Sequence, residues 1–222
     1  MSDIKFRCSS IGRLMVEPKT QKEGPLSVGA KTYIRELAAQ EILGIDFVVT
    51  SKAMEKGLIC EEDAIQLVNR VRGLALSKNA ERRSNDFITG ECDMFDAARN
   101  RGHDIKCAWS AATFPISEVD GVDKFYEFQM RGYMALWNAA EWEVNFCLVD
   151  TPENLIGYEP LAMHVVGHIP EHMRLTTWTL TRDMDKEAAM FEKVKHARAY
   201  FAEVVAEFNR THDLHILESE AP

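Results

Sequence analysis

Asp93, Asp104 and Lys106 are the residues of this chain whose types and spacing best suit chemistry. Asp104-Ile105-Lys106 is an alternating triplet. In a strand, side chains at i and i+2 emerge from one face, so Asp104 and Lys106 point together while Ile105 turns toward a core. Asp93 closes the run Gly90-Glu91-Cys92-Asp93, and the stretch up to Asp104 carries the turn residues Asn100 and Gly102. A hairpin there sets Asp93 nearly opposite Asp104. Carboxylates so placed repel, and a divalent cation is the natural third party. Oxygen-only ligation suits Mg²⁺ or Mn²⁺, and such an ion beside a lysine suits activation of water against a phosphodiester. The plainer reading, solvent-facing charges on an exposed strand pair, fits the triplet taken alone.

Two further segments supply context. From Ser51 to Ser77, Met54, Leu58, Ile65, Val68 and Ala75 recur at the spacing of one amphipathic helix. At about 100° per residue, Glu61 falls about 20° from Met54 and about 40° from Ile65, inside the apolar stripe. A carboxylate on a buried face needs a partner or a metal, and Gly57, one turn earlier, leaves room for another backbone. Downstream, Phe125 to Met134 reads as a helix with Gln129 and Tyr133 one turn apart on one face. Gln129 is placed to orient a water and Tyr133 to meet a phosphate, although packing in a core also accounts for the tyrosine.

In order, Gly57 with Glu61, G-x-x-D at Gly90 to Asp93, D-x-K at Asp104 to Lys106 and Gln-x-x-x-Tyr at Gln129 to Tyr133 resemble the PD-(D/E)XK nuclease superfamily. Within it they are most similar to the phage exonucleases of the lambda exonuclease or YqaJ recombinase type. Ala53 to Gly57 with Glu61 to Ala64 looks like the family's glutamate helix, and Cys8 to Met15 like its opening serine-containing segment. The likeness runs from about Phe6 to Asp150. It implies that Asp93, Asp104 and the Ile105 carbonyl ligate Mg²⁺, that Glu61 assists directly or through water, and that Lys106 positions the attacking water and stabilises charge on the phosphate. Gln129 and Tyr133 would complete the site, with Ser10 and Arg13 near a DNA 5′ phosphate. Aspartate stands at position 104 where lambda exonuclease has glutamate, and no arginine lies seven residues before Ser10.

The implied activity is a Mg²⁺-dependent deoxyribonuclease, a 5′ to 3′ exonuclease on linear double-stranded DNA. By the same analogy it forms a ring-shaped homotrimer and hands the 3′-ended strand to a single-strand annealing protein in phage-type recombination. The alternatives are a structure-specific or restriction-type endonuclease of the superfamily, or a catalytically inactive nucleic-acid-binding protein.

At 222 residues and 46% hydrophobic content the chain is long enough for a full core. The pattern predicts one α/β (α+β) domain over residues 1–222, a mixed central β-sheet flanked by helices, and the resemblance implies a restriction-endonuclease-like core. Expected elements are helices over Val28 to Leu43 and Phe125 to Ala140, and strands at Glu143 to Val149, Leu161 to Val166 and Leu175 to Leu180. A long helix capped by Asp183 then runs to about Asn209. The net charge of −9 is unusual for a DNA-binding chain. Lys5, Arg7, Arg13, Lys19, Lys22, Lys31 and Arg35 are candidates for a basic lining on one face. Five scattered cysteines without a C-x-x-C pair argue against a disulfide framework or an iron–sulfur cluster. His164, His168 and His172 recur every fourth residue, but Gly167 and Pro170 break any helix that would align them. With no signal peptide and no long apolar run, a cytoplasmic protein without membrane partners is expected.

Overall fold

The computed structural model describes residues 4–212. In chain order these form β1 (Phe6–Arg7), α1 (Cys8–Ile11), α2 (Val28–Leu43), α3 (Lys52–Ile59), α4 (Glu61–Arg72), β2 (Arg82–Ser84), β3 (Ile88–Glu91), β4 (Met94–Asp96) and β5 (Arg101–Cys107). Then follow α5 (Lys124–Trp137), β6 (Glu141–Cys147), α6 (Glu153–Ile156), β7 (Leu175–Thr181) and α7 (Met184–Thr211). The strands make two sheets: a small one ordered β1-β3-β2, and a mixed one ordered β4-β5-β6-β7 in which only β5 and β6 run parallel. The expected mixed sheet flanked by helices is therefore present, divided between Glu91 and Met94.

Strand alternation decides what each face of the larger sheet meets. Trp142, Val144 and Phe146 of β6 turn to one side and join the main core with Met130, Tyr133 and Met134 of α5 and Met190, Val194 and Phe201 of α7. Ile105 and Cys147 turn to the other side and pack with Ile65, Leu67 and Val68 of α4. Asp104 and Lys106 share parity with Trp142's face, so β5 delivers them to α5. Gly102 leaves room for this packing, because a Cβ there would collide with the Trp142 indole. The β4–β5 turn closes through Asn100 at φ 49°, a left-handed conformation that asparagine tolerates.

Several boundaries differ from the sequence expectation. The single helix over Ser51 to Ser77 is two, α3 and α4, broken at Cys60 (φ −96°, ψ 6°). Met54 and Leu58 are exposed, so the apolar stripe belongs to α4 alone. Glu61, Glu62 and Asp63 fill the first turn of α4, where carboxylates complement the helix dipole and favour a new start. No atom comes within 4 Å of a Cβ built on Gly57, so no backbone approaches there. Leu161 to Val166 is not a strand: Leu161–Met163 is a 3-10 turn, with Pro160 before it and Gly167 after. β6 begins at Glu141 and ends at Cys147, and α5 stops at Trp137 because Asn138 takes a left-handed cap. The long helix holds, capped by Asp183, whose carboxylate accepts the amides of Asp185 and Lys186. His164, His168 and His172 lie outside helical alignment, on the segment between α6 and β7. Among the described residues no helix is long and apolar enough to cross a membrane.

Candidate active site

Where β4 begins, Asp93 lies beside β5 and its Oδ2 accepts the Ile105 amide at 2.6 Å. In a strand the N–H and C=O of one residue leave on the same edge, so the Ile105 carbonyl emerges on the Asp93 side. Asp104 is 1% exposed. Its Oδ2 is 2.7 Å from Lys106 Nζ and its Oδ1 accepts the Gln129 amide at 3.3 Å. Gln129 also donates to the Tyr133 hydroxyl at 3.3 Å, and that hydroxyl donates to the Glu91 carbonyl at 3.0 Å. A chain of hydrogen bonds thus ties α5 to the end of β3 and to the aspartate of β5.

The electrostatics are strained in a direction that favours a cation. Burial first, then the charge of Asp104, pushes the Asp93 carboxyl up to about 7, against the opposing pull of the Ile105 amide and Lys106. Burial likewise raises Asp104, and Lys106 counters it. Burial works to depress Lys106, but Asp104 outweighs that and leaves it raised and protonated. Asp104, buried, and Asp93, half-buried, share one ammonium, and the donors in reach are all oxygen. That set fits a hard divalent ion.

Glu61 stands differently from the expectation. It opens α4 on the opposite side of the sheet, with its carboxylate ion-paired to Lys78. Its charge is felt at Asp93, but among the described residues no group of three or more His, Cys, Asp or Glu side chains is arranged to hold one ion. Two acidic residues converge, and the third faces them from behind a lysine. The sequence offered no signal for Lys78, which lies on an irregular segment.

Tyr133 is 4% exposed, stacked on Trp142 with ring centroids 5.2 Å apart. Its hydroxyl is engaged by Glu91 and Gln129, so it supports the site through Gln129 and presents no open face to a phosphate. This packing explains the glycine of G-x-x-D: a Cβ on Gly90 would lie 2.7 Å from the Tyr133 ring and 2.9 Å from Cys8 Sγ.

Ser10 and Arg13 sit apart from the carboxylates, in a groove of about 850 Å³ that Lys5, Arg7 and Tyr33 also line. Arg13 stacks 4.2 Å above the Tyr33 ring and pairs with Glu36 at 2.7 Å. Of the other basic candidates, Lys31 donates to the Glu23 carbonyl at 2.7 Å, and Arg35 lies 5.7 Å from the Tyr200 ring. Of the seven basic candidates, Lys5, Arg7 and Arg13 line this groove together.

The course of this backbone is similar to the crystal structure of a phage-related exonuclease from Haemophilus somnus 129PT. Identity is 35% and the TM-score 0.87, over 93% of this chain and 97% of that one. The chain belongs to the phage-related exonuclease family. As fold alone, the likeness extends to the alkaline exonuclease LHK-Exo of Laribacter hongkongensis, at 16% identity and a TM-score of 0.67 over 95% of this chain and 94% of that one. The same enzyme in complex with dAMP matches with the same identity and TM-score over 94% and 93%. No protein-family model matches the chain, and no curated protein does. The resemblance to PD-(D/E)XK nucleases of the lambda exonuclease type is borne out, and with it the assignment of the chain as a nuclease.

Proposed function

We propose that the chain is a Mg²⁺-dependent exonuclease, with Mn²⁺ as a substitute, that degrades linear double-stranded DNA from 5′ to 3′ in phage-type recombination. The observation that carries this reading is buried Asp104 beside half-buried Asp93, with Lys106 Nζ 2.7 Å from Asp104, on a phage-related exonuclease fold. Asp93, Asp104 and the Ile105 carbonyl hold the ion, which when bound supplies Lewis-acid activation of water and of the phosphate. Lys106 orients the nucleophile and balances charge on the phosphorane oxygens. Gln129 fixes the Asp104 carboxylate, and Tyr133 fixes Gln129. Glu61 acts at one remove, through water, once Lys78 is displaced. Ser10, Arg7 and Arg13 take the 5′ phosphate in their groove. As the resemblance implies, the working form is a ring-shaped homotrimer that passes the 3′-ended strand to an annealing protein.

Digestion tests the reading directly. With Mg²⁺, linear duplexes labelled at either end should lose the 5′ label first and release mononucleotides, closed circles should survive, and EDTA should stop the reaction. Cleavage of closed circles would favour the endonuclease alternative.

Ion binding should also depend on pH in a defined direction. The Asp93 pKa is raised from an ordinary 3.8 to about 7, so between those values the metal-free folded state holds more protons than the unfolded state. Its stability therefore falls as pH rises through that window. An ion binds only the ionised pair. The gain in melting temperature on adding Mg²⁺ should grow from about pH 6 to about pH 8. A gain that is flat with pH in a thermal-shift series would count against Asp93 as a ligand.

A further inference from the structure

Beyond α4 the chain returns to the reacting centre along an irregular segment that is pinned on both sides of one lysine. Asn69 of α4, itself buried, accepts the Leu76 amide at 3.1 Å and donates to the Leu76 carbonyl at 2.7 Å. Three residues on, the Asn79 backbone amide donates to the Asp93 carbonyl at 2.7 Å, and its side-chain amide donates to the carbonyls of Cys92 at 3.1 Å and Glu81 at 2.9 Å. Lys78 lies between these anchors, so its backbone is fixed while its side chain is 51% exposed. Its ammonium donates to the Glu61 carboxylate. That hydrogen bond raises the Lys78 pKa; desolvation opposes the rise, and the charges of Glu61, Asp93 and Glu91 add to it.

The neighbouring cations are tied differently. Arg82 pairs with Glu91 at 3.0 Å and Arg83 with Glu81 at 2.8 Å, carboxylates with no part in the proposed ligand set. Of these three cations, Lys78 is the one that occupies a carboxylate of the site.

We propose that Lys78 is an exchange residue: it holds Glu61 aside until DNA arrives, then transfers its ammonium to a phosphate of the bound strand and frees Glu61 to turn toward the ion. The inference rests on the deoxyribonuclease reading and adds a positioning residue to it, one that acts through Glu61. Exposed ion pairs contribute little stability, so this pair is weak enough to yield to a phosphate. A lysine ammonium is a compact charge on a flexible stem, able to change partner while its backbone stays pinned. Lys78 feels the charge of Asp93, so a phosphate that it meets adjoins the reacting centre. An ion on Asp93 and Asp104 drives the ammonium the same way, since like charges repel. Ion and DNA therefore favour one arrangement of Lys78, and each raises the affinity for the other. In a chain of net charge −9, the exchange also supplies a cation to the DNA where it is cut.

A double-mutant cycle tests the exchange. Mg²⁺ is titrated calorimetrically into the DNA-free protein as wild type, Lys78→Met, Glu61→Gln and the double variant. Lys78→Met should bind Mg²⁺ about tenfold more tightly than wild type, and the double variant no more tightly than Glu61→Gln. An equal gain in both backgrounds means that Lys78 acts on the ion only through space, and overturns the exchange; an unchanged affinity does so too. The second readout is binding of a linear duplex in EDTA over a range of salt concentrations. Lys78→Met should lower the slope of log Kd against log salt by about one, the counterion share of a single phosphate. An unchanged slope means that Lys78 stays with Glu61 in the complex, and overturns the exchange. Lys78→Gln takes the place of Lys78→Met if the latter fails to fold. Each of these failures leaves wild-type digestion intact, and the nuclease reading with it. A wild-type protein that binds neither Mg²⁺ nor duplex overturns both.

Discussion

Asparagine in place of Asp104 should lower the rate of DNA cleavage by about 10³-fold or more, with the melting temperature unchanged or higher. The two halves of this result have one cause. Asp104 is 1% exposed, and its charge, after burial, is what holds the Asp93 carboxyl high. An isosteric neutral amide keeps the contact with Gln129 and ends the repulsion with Asp93, which offsets the lost ion pair to Lys106 at 2.7 Å, so the metal-free fold holds while the ion loses a ligand. Activity and stability are opposed at such a site because the charges that do the chemistry burden the fold. Lys106→Met should match the loss in rate without keeping the stability, since it leaves the carboxylates with no compensating ammonium 2.7 Å from Asp104. End-labelled digestion and a thermal melt of both variants decide the matter. Retention of more than about a tenth of wild-type activity by Asp104→Asn would remove Asp104 from the reacting centre.

Lys56→Met should produce the largest loss of stability, about 3–5 kcal/mol, seen as a fall of roughly 10 °C in the midpoint of calorimetric unfolding. The side chain is fully buried, and desolvation depresses its pKa. It is tolerated because three carbonyls, from Ala108, Trp109 and Val149, receive its protons. Methionine keeps the apolar stem but donates nothing, so the Ala108 and Val149 carbonyls are left without a donor just past the ends of β5 and β6, and the Trp109 carbonyl keeps only the Thr151 hydroxyl. Each such buried group costs about 1–3 kcal/mol. A loss below about 1 kcal/mol would mean that water takes over the three carbonyls and that the clamp is dispensable.

Much of the site was legible from local rules. Asp104 and Lys106 share a face because strands alternate, and Asp93 meets Ile105 because Asn100 and Gly102 allow a tight reversal. Gln129 and Tyr133 are neighbours because helices repeat every three to four residues, and their hydrogen bond at 3.3 Å follows from that spacing. The start of α7 was readable in Asp183, a side chain that caps its own helix. Each of these relations is settled within about a dozen residues, which is the range over which backbone geometry alone fixes direction.

Other features were closed to such reading. An unbroken periodicity joined Met54 to Val68, but only the exposure of Met54 and Leu58 reveals that Cys60 interrupts it and moves Glu61 to a helix start. The pairing of Glu61 with Lys78, the burial of Tyr133 against Gly90, and the burial of Lys56 under two strand ends join residues distant in sequence. By itself, the order of residues determined that Asp104 and Lys106 share a strand face, and it carried the run of motifs on which the family resemblance rests. Tertiary structure alone decided which charges lose their water and which partner each then takes, because desolvation depends on what the rest of the chain packs around a group and not on its neighbours in sequence.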